Sequence, residues 1–176
     1  MSFLSRLFQR RDPRDTMIPL YNAIVTEGRR PHWYADGAVP DTLDGRFDMI
    51  AAILVMVLLR LEGEADLKQE SVWLTEIFVE DMDGQLRQIG IGDMIVGKHI
   101  GKMMSALGGR LTAYRPAMQP GGDLRGALAR NLYRGQAPAE SALAHVEEGL
   151  RLFRAGLDNM APDTILSGQI PQSRIS

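Results

Sequence analysis

Apolar positions along this chain recur at steps of three and four residues, and nowhere do they alternate one by one. That period puts them on one face of a helix, whereas a half-buried strand needs a period of two. A first helix is predicted from Met17 to about Thr26, with Pro19 tolerated in its first turn. Pro31-His32-Trp33-Tyr34 then reads as a turn, followed by a loop through Gly37 and Pro40. Thr42 or Asp44 can cap a central helix in which Phe47, Ile50, Leu54, Val57 and Leu61 keep the helical step, and Gly63 ends it. Next, Leu74, Ile77, Phe78, Met82, Leu86 and Ile89 form an apolar stripe, despite Gly84, which costs about 1 kcal/mol relative to alanine inside a helix.

Gly90-Ile91-Gly92 breaks the chain, and Asp93 can cap the helix that follows. Val96, Ile100, Met103, Met104 and Leu107 are its predicted buried stripe, with Lys98, Lys102 and Ser105 opposite, and Gly108-Gly109 is expected to stop or kink it. The proline- and glycine-rich segment from Arg115 to Gly122 reads as a surface loop leading to a helix with Leu124, Leu128 and Leu132 inside. Leu143, Val146, Leu150, Phe153, Leu157 and Met160 make a narrow seam on the last long helix, which calls for a partner helix, more often from the same chain. Beyond Pro162 the chain turns polar, and 169–176 is expected to be a flexible tail. About seven helices with short loops make an all-α fold: a single compact domain over 16–168, built around the apolar helix Phe47 to Leu61.

The longest apolar run, Met49 to Leu59, changes little in this picture. As a helix it spans about 16 Å, roughly half of a bilayer's hydrocarbon core, so it suits the centre of a soluble domain and not a membrane span. The first residues lack both a long apolar stretch and a small-residue cleavage site. They do form a basic amphipathic segment over 1–15, with Phe3, Leu4, Leu7 and Phe8 on one face and Arg6, Arg10 and Arg11 beside it. Such a segment can lie on an anionic membrane surface, or else dock on its own domain.

Charge divides the chain more sharply than its net −2 suggests. Residues 36–93 hold thirteen acidic against four basic side chains, and residues 94–135 hold seven basic against one acidic. Glu76, Glu80, Asp83 and Arg87 share one helical face, while Lys98, Lys102, Arg130 and Arg134 supply basic ones; these eight are the candidate partner-binding residues. The plain alternative is two solvated surfaces.

Candidate chemistry is thin. The chain has no cysteine, which removes thiol nucleophiles, disulfides and thiolate metal sites. His32, His99 and His145 stand far apart and suggest surface or packing histidines. Glu80-Asp81-Met82-Asp83-Gly84 has the outline of a calcium loop, but Gly90 stands where the closing glutamate belongs. Asp93 after Gly90-Ile91-Gly92 competes with any phosphate for the helix-start donors. No serine or threonine has a nucleophile-elbow context. No catalytic residue, cofactor or metal is therefore expected. RNA-binding sheets need strands, which are not predicted, so an RNA-binding translational activator stands second, beside a generic helical interaction domain.

Residue order adds a further clue. TLDGRFDMIAAILVMVLLRLEGE from Thr42 to Glu64, FVEDMDGQLRQIGIGDMIVGKHIGKMM from Phe78 to Met104, the pair Ala113-Tyr114, LRGALARNLYRG from Leu124 to Gly135, and Leu166-Ser167-Gly168 together resemble the ubiquinol-cytochrome c chaperone family over about residues 17 to 168. The resemblance implies an all-α assembly factor for ubiquinol-cytochrome c reductase, the cytochrome bc complex, acting on newly made cytochrome b. Mitochondrial members work with a small helper protein near the ribosome. The short segment before the shared region, and Val79 where eukaryotic relatives tend to carry tryptophan, favour a bacterial member. It would be cytoplasmic and peripheral to the inner membrane; a eukaryotic one would face the mitochondrial matrix.

Overall fold

In the computed structural model, residues 12–88 and 93–173 are described, and every regular element among them is helical. A 3-10 turn, Pro13–Met17, opens directly into α1, Ile18–Gly28. Then come α2 (Pro31–Ala35), α3 (Leu43–Leu61), a short 3-10 turn (Ala65–Leu67) and α4 (Lys68–Gln88). The second half comprises α5 (Asp93–Ala117), α6 (Leu124–Asn131), α7 (Glu140–Asp158) and α8 (Pro162–Leu166).

The centre is α3. Thr42 caps it, its hydroxyl accepting the Gly45 N–H at 3.1 Å. From Met49 through Leu59 every side chain is buried, because α1, α4, α5 and α7 all pack on this helix. Full burial of one Leu or Ile contributes about 1.5–3 kcal/mol, so an all-round apolar helix is stable only when its neighbours enclose it. The tight start of α3 depends on Gly45, where a Cβ would stand 2.0 Å from the Pro40 carbonyl oxygen.

The narrow seam of α7 does find its partner within the chain. Val146, Leu150, Phe153 and Leu157 are fully buried in the same core as α3. Arg60 at the end of α3 ties the two helices, donating from Nε to the Leu157 carbonyl and from Nη2 to the Met160 carbonyl, each at 3.2 Å. A guanidinium there satisfies carbonyls that the helix end leaves open.

Several sequence expectations are revised. Pro31 to Tyr34 is not a plain turn but the helix α2, with Pro31 at its start and Trp33 buried. Gly108-Gly109 does not stop the helix, and α5 continues through Arg115 and Pro116, so the loop to α6 begins only after Ala117. Leu107, Arg110 and Tyr114 are buried along that continuation and hold it helical. Met104, expected inside, is 41% exposed. The polar stretch beyond Pro162 packs on the domain as far as Ser173, which is buried: Ile165 of α8 is buried too, and Gly168, at φ +88, turns the chain so closely past Pro19 that a Cβ would meet its carbonyl at 2.8 Å. The basic amphipathic residues Phe3, Leu4, Arg6, Leu7, Phe8, Arg10 and Arg11 lie outside the described residues, as does the Gly90-Ile91-Gly92 break. No described helix is long and apolar enough to cross a membrane.

Candidate functional site

A groove of about 590 Å³ lies between the start of α3, the exposed side of α6 and the edges of α4 and α5. Leu43, Phe47, Ile50, Met82, Met103 and Ala106 give it an apolar floor. Around that floor stand six cations, Arg29, Arg46, Lys102, Arg110, Arg130 and Arg134, against only two carboxylates, Asp44 and Asp48. The size is that of a ligand site, and apolar surface with a few convergent charges is the usual composition of one.

One wall is a fixed ion network. Asp48 is buried within α3; it accepts from Arg110 Nη2 on one oxygen and from Arg134 Nε at 2.7 Å on the other. Arg110 Nη2 also donates to the Asn131 carbonyl at 2.8 Å, and Arg134 Nη1 reaches Asp44 at 2.6 Å. Asp48 beside it pushes the Arg134 guanidinium above its ordinary range. Arg110 lies across the Phe47 ring, 5.7 Å from its centroid, and its buried Nε has no hydrogen-bond partner. These groups join α3, α5 and α6 and set the shape of the groove.

The remaining rim is different. Lys102 and Arg130 are exposed, and among the described residues neither is held by a carboxylate in an ion pair. Of the basic candidates, the structure thus brings Lys102, Arg130 and Arg134 to one groove, with Arg134 anchored by its carboxylates and the other two open to an incoming anion. Lys98 is exposed, one helical turn from Lys102 on α5.

The acidic candidates sit elsewhere, on α4, and are partly answered within the chain. Arg14 Nη1 pairs with Glu80 and stands 3.7 Å from Glu76, while Arg87 Nε donates to Asp83 at 2.8 Å. Asp81, next to them, accepts the Tyr21 hydroxyl at 2.6 Å and the Gln85 amide at 2.9 Å, which pins α4 to α1.

A polar chain that sequence spacing could not reveal runs under α2. His32 Nδ1 is 3.0 Å from His145 Nε2, and His32 Nε2 is 3.0 Å from Ser173 Oγ. Ser173 bonds in turn to Glu27, its backbone N–H at 3.1 Å and its hydroxyl closer still. Glu27 Oε1 accepts both, so the serine hydroxyl is spent as a donor to it. Ser173 Oγ then accepts from His32 Nε2–H, and the bare His32 Nδ1 accepts from His145 Nε2–H. Burial, with His145 and Arg30 adding positive charge nearby, pushes the His32 imidazole down to about 4. Ser173 is 1% exposed and gives its proton to a carboxylate, so the constellation ties down the chain end and presents no nucleophile to a substrate. No cluster of three metal-ligating side chains occurs among the described residues.

Comparison with known proteins places this architecture. A structural match extends over 96% of this chain and 96% of the other with a TM-score of 0.78 and 28% identity: the crystal structure of the Cbp3 homolog from Brucella abortus. No curated protein matches the sequence. The family model described as ubiquinol-cytochrome C chaperone matches residues 35–173, which include the whole central helix, all six cations but Arg29 around the groove, and the docked chain end. This chain belongs to the ubiquinol-cytochrome c chaperone family.

Proposed function

We propose that this protein is a non-enzymatic assembly factor of the cytochrome bc complex that holds newly made cytochrome b at the cytoplasmic face of the inner membrane, with the α3/α5/α6 groove as its client surface. The observation that carries this reading is the groove itself, an apolar floor with Lys102 and Arg130 open on its rim in a chain of this family. Exposed apolar surface of this kind on a folded domain marks a binding site, and cations around it orient and select the partner.

The acidic face of α4 would make a second contact. Cytoplasmic loops of membrane proteins are rich in Lys and Arg, and Arg14 already lies on Glu76 and Glu80 as such a loop residue would. The N-terminal arginines and a small helper protein would complete the encounter at an anionic membrane. Deleting the gene tests the reading: the cytochrome bc complex is lost while the cytochrome b message is still translated. Loss of translation would instead favour an RNA-binding activator.

A further inference from the structure

Beside the groove, α5 presents a face almost without side chains. Gly97, Gly101, Ser105, Gly108 and Gly109 are all exposed, and a Cβ placed on any of the four glycines would meet nothing within 4 Å. Gly109 belongs to this face and to the groove lining at once, and Lys102 stands in that lining beside Gly101, so the bare strip and the apolar floor form one continuous surface. From Gly97 to Gly109 the strip is about 18 Å long at 1.5 Å per residue, which is longer than a pocket for a small molecule needs. Small residues at helical spacing let a second backbone approach closely, the arrangement by which apolar helices pack on each other.

The charges say what the second helix carries. Lys98, Lys102 and Arg130 are exposed along the strip and the rim without an ion-pair partner among the described residues, and buried Arg110 keeps an unpartnered Nε in the groove wall. Asp44 and Asp48 are already consumed by Arg134 and Arg110. An acidic side chain, or the negative carbonyl end of a helix, would complement them.

We infer that the Gly97–Gly109 face of α5 and the adjoining groove receive one apolar-faced helix of a polypeptide partner, with an acidic group of that helix seated between Lys102 and Arg130. The helix lies along the glycine strip, and its larger side chains enter the groove over Phe47 and Met103. This rests on the assembly-factor reading only for the identity of the partner, a membrane-protein client whose apolar helices need cover.

Two synthetic helical peptides test it, each with a Leu/Ala face, one bearing glutamates in its C-terminal third and the other lysines there. The full chain should bind the glutamate peptide at least about tenfold more tightly than its lysine twin. Lys102→Glu with Arg130→Glu should reverse that preference, and Gly101→Leu, which has open space to fold into, should weaken both peptides by closing the strip. Equal binding of the twins, or binding untouched by Gly101→Leu, would overturn the inference. So would failure to bind either peptide combined with binding of phosphatidylglycerol vesicles through Lys102 and Arg130. Loss of the bc complex on gene deletion is read separately: an intact complex beside selective peptide binding refutes the proposed function alone, and a lost complex without peptide binding refutes this site alone.

Discussion

His32 Nδ1 lies 3.0 Å from His145 Nε2 across 113 residues of sequence, and through that contact α2, α7 and the chain end share one chain of hydrogen bonds. The direction of those bonds requires the His32 imidazole to be neutral, its Nδ1 bare so that it can accept. Asp36, the one acidic neighbour that favours a charged His32, is outweighed by burial, His145 and Arg30.

That arrangement makes stability depend on pH with a definite sign. His32 titrates at about 4 in the folded chain against an ordinary value of about 6.5, so between those values the unfolded chain binds more protons. Stability contributed by the neutral imidazole is present above pH 6.5 and is lost as pH falls towards 4. Urea midpoints measured across that window should fall with acid, and His32→Gln should flatten the slope. A wild-type midpoint constant from pH 7 to 4.5 would contradict this account.

Asp48 is the acceptor that makes two guanidiniums tolerable beside the core. Asp48→Ala leaves Arg110 buried and uncompensated, and breaking one side of a buried pair costs roughly 3–5 kcal/mol. Chemical denaturation should register that loss, whereas Lys102→Ala, at an exposed position, should leave stability within about 0.5 kcal/mol of the parent.

Two glycines should respond to alanine with opposite signs. Gly108→Ala adds a methyl to open space inside an exposed helical turn and should stabilise by about 1 kcal/mol. Gly45→Ala drives a Cβ to within 2.0 Å of the Pro40 carbonyl and should destabilise by about 1–3 kcal/mol. Thermal unfolding of the pair checks both directions.

Arg14 covers Glu76 and Glu80 with a positive charge from the same chain. If that acidic face reads basic loops, Arg14→Ala should tighten binding of a Lys/Arg-rich peptide, and Glu76→Lys with Glu80→Lys should abolish it. Titration by fluorescence anisotropy at low salt, where surface charges are least screened, gives the comparison.

Much of the fold was legible because core helices write their burial as periodicity. Val146, Leu150, Phe153 and Leu157 repeat at steps of three and four, and they meet α3 where that pattern demands a partner. Gly108-Gly109 misled for the opposite reason. Local propensity argues for a break, but burial of Leu107, Arg110 and Tyr114 on either side outweighs about 1 kcal/mol per glycine. The chain end misled similarly: its polar composition reads as solvated, yet one buried serine and one isoleucine hold it. Of the site, sequence supplied Lys102, Arg130 and Arg134 but neither Arg29 and Arg46 nor the grouping, since Arg29, Lys102 and Arg130 come from three helices or helix ends and only the packing around α3 brings them about Phe47. The His32–His145 contact had no local signal at all, being made entirely by tertiary structure.

The most direct test of the central claim is the haem b content of the cytochrome bc complex in membranes of a deletion strain complemented with wild-type protein or with Lys102→Glu/Arg130→Glu. The account predicts that deletion removes the complex selectively, that the wild-type chain restores it, and that the double variant, folded and present at equal level, does not. A full complement of haem b in the deletion strain, or full restoration by the double variant, would contradict it.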